Sequence, residues 1–114
     1  NGAPIGSYQA IQFPLAEAHI KAECARLMSH KAATLADLGL PYGSEANMSK
    51  WLAGQAAALA TDRAMQTHGG MGFSKEYHVE RLWRDARLFK FAPVSEEMVL
   101  NYVAQHDLGM PRSY

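Results

Sequence analysis

The run Leu52-Ala53-Gly54-Gln55-Ala56-Ala57-Ala58-Leu59-Ala60-Thr61 carries no charge, and five of its ten residues are alanine. Alanine is the strongest helix former and adds almost no bulk, so this run predicts a helix that lets a neighbouring helix approach closely. Such a segment belongs at the centre of a bundle. Ten residues are also far short of the roughly 20 apolar residues that cross a bilayer. The same bias holds along the whole chain, with nineteen Ala against ten Val, Ile and Thr together. Pleated sheets select β-branched side chains, so the class is all-α.

Outward from that run, Ser44 is placed to cap the helix. Met48, Leu52, Gln55 or Ala56, Leu59 and Met65 form its buried stripe, and Gly69-Gly70 end it. On the N-terminal side, residues 7–38 repeat apolar residues near helical spacing at Ile11, Leu15, Ile20, Cys24, Leu27, Met28, Leu35 and Leu38, with Gly39 and Pro41 as the stop. Pro14 lies inside this pattern. Either the helix kinks there, which is the expectation, or its regular part begins at Phe13-Pro14 with the proline in the first turn. On the C-terminal side, residues 77–91 predict a third helix with Val79, Leu82, Trp83, Ala86 and Phe89 on its apolar side, interrupted by Pro93. Ser95 caps a fourth, which runs to about Asp107 before Gly109 and Pro111. Glu96 and Glu97 suit the positive end of its dipole. Four helices with short connections predict an antiparallel, up-down four-helix bundle.

At 114 residues and 48% hydrophobic content the chain holds one domain with a real core. Eleven basic and eleven acidic residues cancel, so no basic field exists to hold a nucleic acid. With no membrane span and no basic-then-apolar leader, the reading is a soluble protein. Cys24 is the single cysteine, which excludes an internal disulfide and a thiolate metal cluster and fits a reducing compartment. The opening Asn1-Gly2-Ala3-Pro4 lacks an initiator Met, as expected of a processed chain or a piece of a longer one.

Few residues advertise chemistry on their own. His19 and His30 are eleven residues apart, about 16 Å along a helix, and cannot share a metal ion. They read as surface or structural histidines, and His68 and His78 as solvated residues beside the glycines. Gly69-Gly70-Met71-Gly72 can present backbone N–H groups to a phosphate, because glycine permits close approach, although a helix cap and turn is the plainer use. Arg81, Arg84, Asp85 and Arg87 form a charged group with Arg81 and Asp85 at i,i+4 spacing, expected at a solvated or interhelical face. Trp51, Trp83, Phe89 and Phe91 read as core or interface residues.

Taken together, Gly2-Ala3-Pro4-Ile5-Gly6, Gln9-Ala10-Ile11-Gln12, Leu15-Ala16, then Ala64-Met65-Gln66-Thr67-His68-Gly69-Gly70-Met71-Gly72-Phe73, then Tyr77 and Glu80-Arg81-Leu82-Trp83-Arg84-Asp85-Ala86-Arg87 resemble the acyl-CoA dehydrogenase family in order and spacing. The resemblance covers nearly all of the chain but only the family's C-terminal helical domain. It implies that residues 1–114 are that domain, part of a larger dehydrogenase whose N-terminal helical and middle β-domains lie elsewhere. By resemblance, the parent oxidises acyl-CoA thioesters between the α and β carbons, transfers hydride to FAD and passes electrons to a transfer partner. The bundle contributes part of the FAD site and of a homo-oligomer interface, in the family a tetramer, and is inactive alone. Gln9, Gln66, Gly69 and Gly70 are implied to meet the adenosine-diphosphate part of FAD held by a neighbouring subunit, and Ser95 stands at a family Thr that contacts the flavin cofactor.

The sequence departs from the family at two places. The Arg that usually precedes Gly2 is absent, with Asn1 where an aromatic is usual. Pro93 stands where many members carry the catalytic Glu, and proline cannot accept a proton, so no catalytic base is assigned. In the isovaleryl-type branch the Glu precedes this domain. Glu96 and Glu97 are nearby carboxylates whose ordinary role is helix capping. The location implied is cytoplasmic, or mitochondrial in a eukaryote. The alternatives are a stand-alone helical interaction module and a flavin-dependent relative with different chemistry.

Overall fold

A computed structural model describes residues 2–113, and among these all regular structure is helical. The departure at Asn1 lies outside the described residues. The helices are α1 (Gln9–Asp37), α2 (Gly43–His68), α3 (Val79–Leu88) and α4 (Glu96–His106), with short 3-10 segments at Ile5–Ser7 and Gly69–Phe73. The all-α bundle is as expected. Among the described residues no helix is long and apolar enough to cross a membrane.

α1 and α2 form an antiparallel hairpin whose register is set by paired contacts. Near the turn, Lys31 bonds Glu45 at 2.9 Å and Ser29 meets Ser49 at 2.6 Å. At the far end Pro14 and Arg63 line one groove. The enclosed residues of α1 are Ala18, Ala25 and Ala32, spaced seven apart, while the bulkier Leu15, Ile20 and Leu27 face outward. A seven-residue repeat keeps one seam against a partner helix, and alanine at the seam shortens the gap between axes. On α2 the most enclosed residues are Gly54 and Ala56, so of the two readings Ala56, not Gln55, is the buried one. Met48, Leu52, Leu59 and Met65 are half-buried.

Both α3 and α4 run antiparallel to α2, one after the other along it. Trp83 reaches Asp62 and the Phe89 carbonyl lies over Gly54, while further along Glu96 bonds Gln55 and the Tyr102 ring lies where a side chain at Gly43 would project. Thus α2 contacts every other helix, whereas α1 approaches α3 through side chains, Lys21 lining one groove with Trp83 and Arg87. The molecule extends over 56 × 27 × 24 Å.

Two local expectations are corrected and one alternative is removed. Pro14 lies inside α1, five residues past its first, so of the two readings the one that starts the helix at Phe13-Pro14 falls away. The helix is not broken at the proline, although the missing N–H frees the Ala10 carbonyl from its helical bond. Ser44 is not the cap of α2: the helix starts at Gly43 after Tyr42, whose carbonyl accepts from the Ala46 N–H at 2.9 Å. α3 is shorter than 77–91. Tyr77 and His78 precede it, and after Leu88 the chain tightens into turns because the Lys50 ammonium holds the Phe89 carbonyl at 2.6 Å and Pro93 disfavours helix at Ala92. Only Ala86 of its apolar side is buried, because no second layer of this chain covers Leu82, Trp83 or Phe89.

Candidate functional site

Gly69, Gly70 and Gly72 have three different reasons to be glycine. Gly69 caps α2 at φ 59 and ψ −140, a conformation side chains oppose. Gly72 packs on the end of α2, where a Cβ would lie 2.7 Å from the Met65 carbonyl oxygen. Gly70 has neither constraint: its φ is ordinary and a Cβ there would meet open space. Nothing among the described residues asks for a glycine at this position. Its bare surface suits close approach by a group from outside.

The same end of the hairpin carries the amides singled out from the sequence. Ala10, Ile11 and Pro14 of α1 with Arg63, Gln66 and Thr67 of α2 line a groove of about 320 Å3. Gln9 begins α1 beside Ala10, and both Gln9 and Gln66 are exposed, with carboxamides that make no hydrogen bond to other described residues. Antiparallel pairing of α1 and α2 therefore brings Gln9, Gln66, Gly69 and Gly70 to one end of the molecule. Free amide donors, a bare glycine turn and an arginine fit the polar, anionic end of a dinucleotide.

Ser95 is not part of that cluster. It caps α4, its hydroxyl accepting from the Met98 N–H at 3.3 Å, as expected. α4 begins opposite Gln55, eleven residues before Gln66, which separates the two places by roughly 16 Å along α2. Glu97 follows the cap. Its own backbone N–H and the Ser95 hydroxyl hold its carboxyl below the ordinary value, which makes it a weak proton acceptor. Glu96 accepts from Gln55 at 3.0 Å and lies 3.6 Å from the Lys90 ammonium, tying α4 to α2. Neither carboxylate is placed as a free base, and Pro93 between α3 and α4 is exposed.

Sequence reasoning missed two groups. One is the Gln55, Lys90 and Glu96 cluster, whose members are far apart in sequence. The other is Arg63, whose i,i+3 spacing from Gln66 was the available signal. His19 and His30 are exposed on α1, as expected, and Arg81 pairs with Asp85 at 3.5 Å.

A helical hairpin flanked by two shorter helices defines the class as an all-α bundle domain. The family model for the acyl-CoA dehydrogenase C-terminal domain matches residues 1–108, and the chain belongs to that family. It is 51% identical over 113 residues to the acyl-CoA dehydrogenase FadE12 of Mycobacterium tuberculosis, covering 97% of this chain and 29% of the relative. It is 44% identical to the mitochondrial short-chain specific acyl-CoA dehydrogenase of Bos taurus, covering 98% and 27%. The butyryl-CoA dehydrogenase structure from Megasphaera elsdenii superposes with a TM-score of 0.89 at 34% identity, covering 96% of this chain and 28% of that one. The chain thus spans under a third of the length of these relatives.

Proposed function

We propose that this domain forms one wall of the FAD site, and part of the subunit interface, in a flavin-dependent acyl-CoA dehydrogenase. FAD, when bound, supplies the acceptor for the substrate's β-hydrogen. The chain's own part is to bind and orient: Gln9 and Gln66 offer amide donors, and Gly69-Gly70 allow the backbone near a diphosphate. Ser95 offers its hydroxyl at the separate place along α2, so the domain faces two cofactor regions rather than one. The observation that carries the reading is Gly70, a glycine that neither its φ nor its neighbours require, beside the unpartnered Gln66.

Proton abstraction falls to a carboxylate outside residues 1–114, because Pro93 cannot accept a proton, Glu96 is engaged by Gln55 and Lys90, and the lowered carboxyl of Glu97 is a weak base. A dry, enclosed site is needed for hydride transfer, and one open wall cannot exclude water or align two reactants. Purified alone, the 114-residue polypeptide is therefore expected to be colourless and to oxidise no acyl-CoA. A yellow polypeptide that keeps its flavin absorbance through gel filtration defeats the proposal. Acyl-CoA as substrate, an electron-transfer partner, a tetrameric assembly and a cytoplasmic or mitochondrial setting follow from the family and belong to the same proposal. Pro93 favours one second reading, a flavin-dependent relative with different chemistry. Products formed by the full-length enzyme, an enoyl thioester or something else, separate the two.

A further inference from the structure

Arg63 is the charged residue that this reading leaves unused. It lies three residues before Gln66 on α2, and its Nε is buried without a hydrogen-bond partner. No carboxylate among the described residues forms an ion pair with it, and none lines its groove. The adjacent acid, Asp62, is turned to Trp83, whose Nε1–H it accepts at 3.4 Å. Arg63 is half-buried, with its Nε enclosed and without an acceptor and no carboxylate beside it, and an enclosed N–H donor is ordinarily matched by an acceptor. Arg63, Gln66 and Thr67 share the groove, and the Gly69-Gly70 turn ends the same helix immediately beyond it.

We propose that this groove takes a phosphate of the FAD diphosphate, with the Arg63 guanidinium donating to phosphate oxygens beside the Gln66 carboxamide. The inference rests on the FAD reading above and deepens it by naming the residue that supplies the positive charge. A planar guanidinium offers paired N–H donors at the spacing of phosphate oxygens, and a charged pair in a partly dry groove exceeds an amide contact in strength. Coenzyme A carries the same diphosphate chemistry, so the test separates the two ligands.

The full-length dehydrogenase that contains this chain is stripped of flavin and titrated with FAD, with FMN, which lacks the diphosphate, and with acyl-CoA, following flavin fluorescence and thermal stability. Arg63→Met is expected to weaken FAD binding about tenfold to hundredfold, the range for loss of a charge-assisted hydrogen bond, with FMN and acyl-CoA affinity unchanged. Arg63→Gln, which keeps helix propensity and a polar head, is expected to give the same loss and stands in if the Met variant does not fold. Unchanged FAD affinity in the variants overturns the inference. So does a loss confined to acyl-CoA, or a common loss of stability and of both flavins, which marks a structural arginine. A wild-type enzyme that takes up no FAD at all removes the reading beneath it as well.

Discussion

At the scale of the residue, the glycine turn separates structural need from functional opportunity. Gly69→Ala places a side chain in a glycine-only conformation and is expected to cost about 1–3 kcal/mol. Gly72→Ala drives a Cβ against the Met65 carbonyl, with a cost of about 1–3 kcal/mol from overpacking. Gly70→Ala meets open space at an ordinary φ, so stability is expected within about 0.5 kcal/mol of the parent while FAD affinity in the full-length enzyme falls. Urea unfolding of the three variants beside a flavin titration checks the contrast, and equal FAD binding by Gly70→Ala removes Gly70 from the site. Gln9, Gln66 and the glycines could be named as candidates because the whole motif could be read at once. Arg63 was not, because an arginine on a helix usually faces solvent, and only the packing of α1 beside it reveals an enclosed, unpartnered Nε–H.

At the scale of the element, the hairpin shows what small residues do. Ala18, Ala25 and Ala32 hold the α1 seam against α2, so Ala25→Leu is expected to wedge the helices apart and cost about 1–3 kcal/mol. Ala22→Leu, on an exposed face of the same helix, is expected to stay within about 0.5 kcal/mol, and chemical denaturation of both measures the difference. The existence and order of all four helices followed from alanine content, apolar spacing and the stops at Gly39, Gly69 and Pro93. Their edges did not. Tyr42 rather than Ser44 precedes α2 because Gly43 must lie against the distant Tyr102 ring, and Lys50 helps end α3 from another helix. Boundaries of this kind depend on partners that local sequence does not name.

At the scale of the whole molecule, the chain is longer and barer than a self-contained domain of its size. Its radius of gyration is 17.4 Å, where about 13 Å is usual for 114 compact residues. Its accessible surface is 8003 Å2, against roughly 6200 Å2 expected at this mass. The excess is of the order of two standard interface patches, and Leu82, Phe89, Phe91, Met98 and Leu100 lie on it. The isolated polypeptide is therefore expected to self-associate, which sedimentation over a concentration series detects; a strict monomer at high concentration contradicts it. Apolar spacing could place these residues on one side of a helix, but it could not tell a core within this chain from a surface completed by another. Since α1 and the α3–α4 tract each lean on α2 over most of their contact, damage to one flank reaches the other chiefly by way of that helix. Perturbations on the two sides are then expected to combine nearly additively, with α2 the main mediator through which the glycine-turn end and the remote flank exchange energetic information.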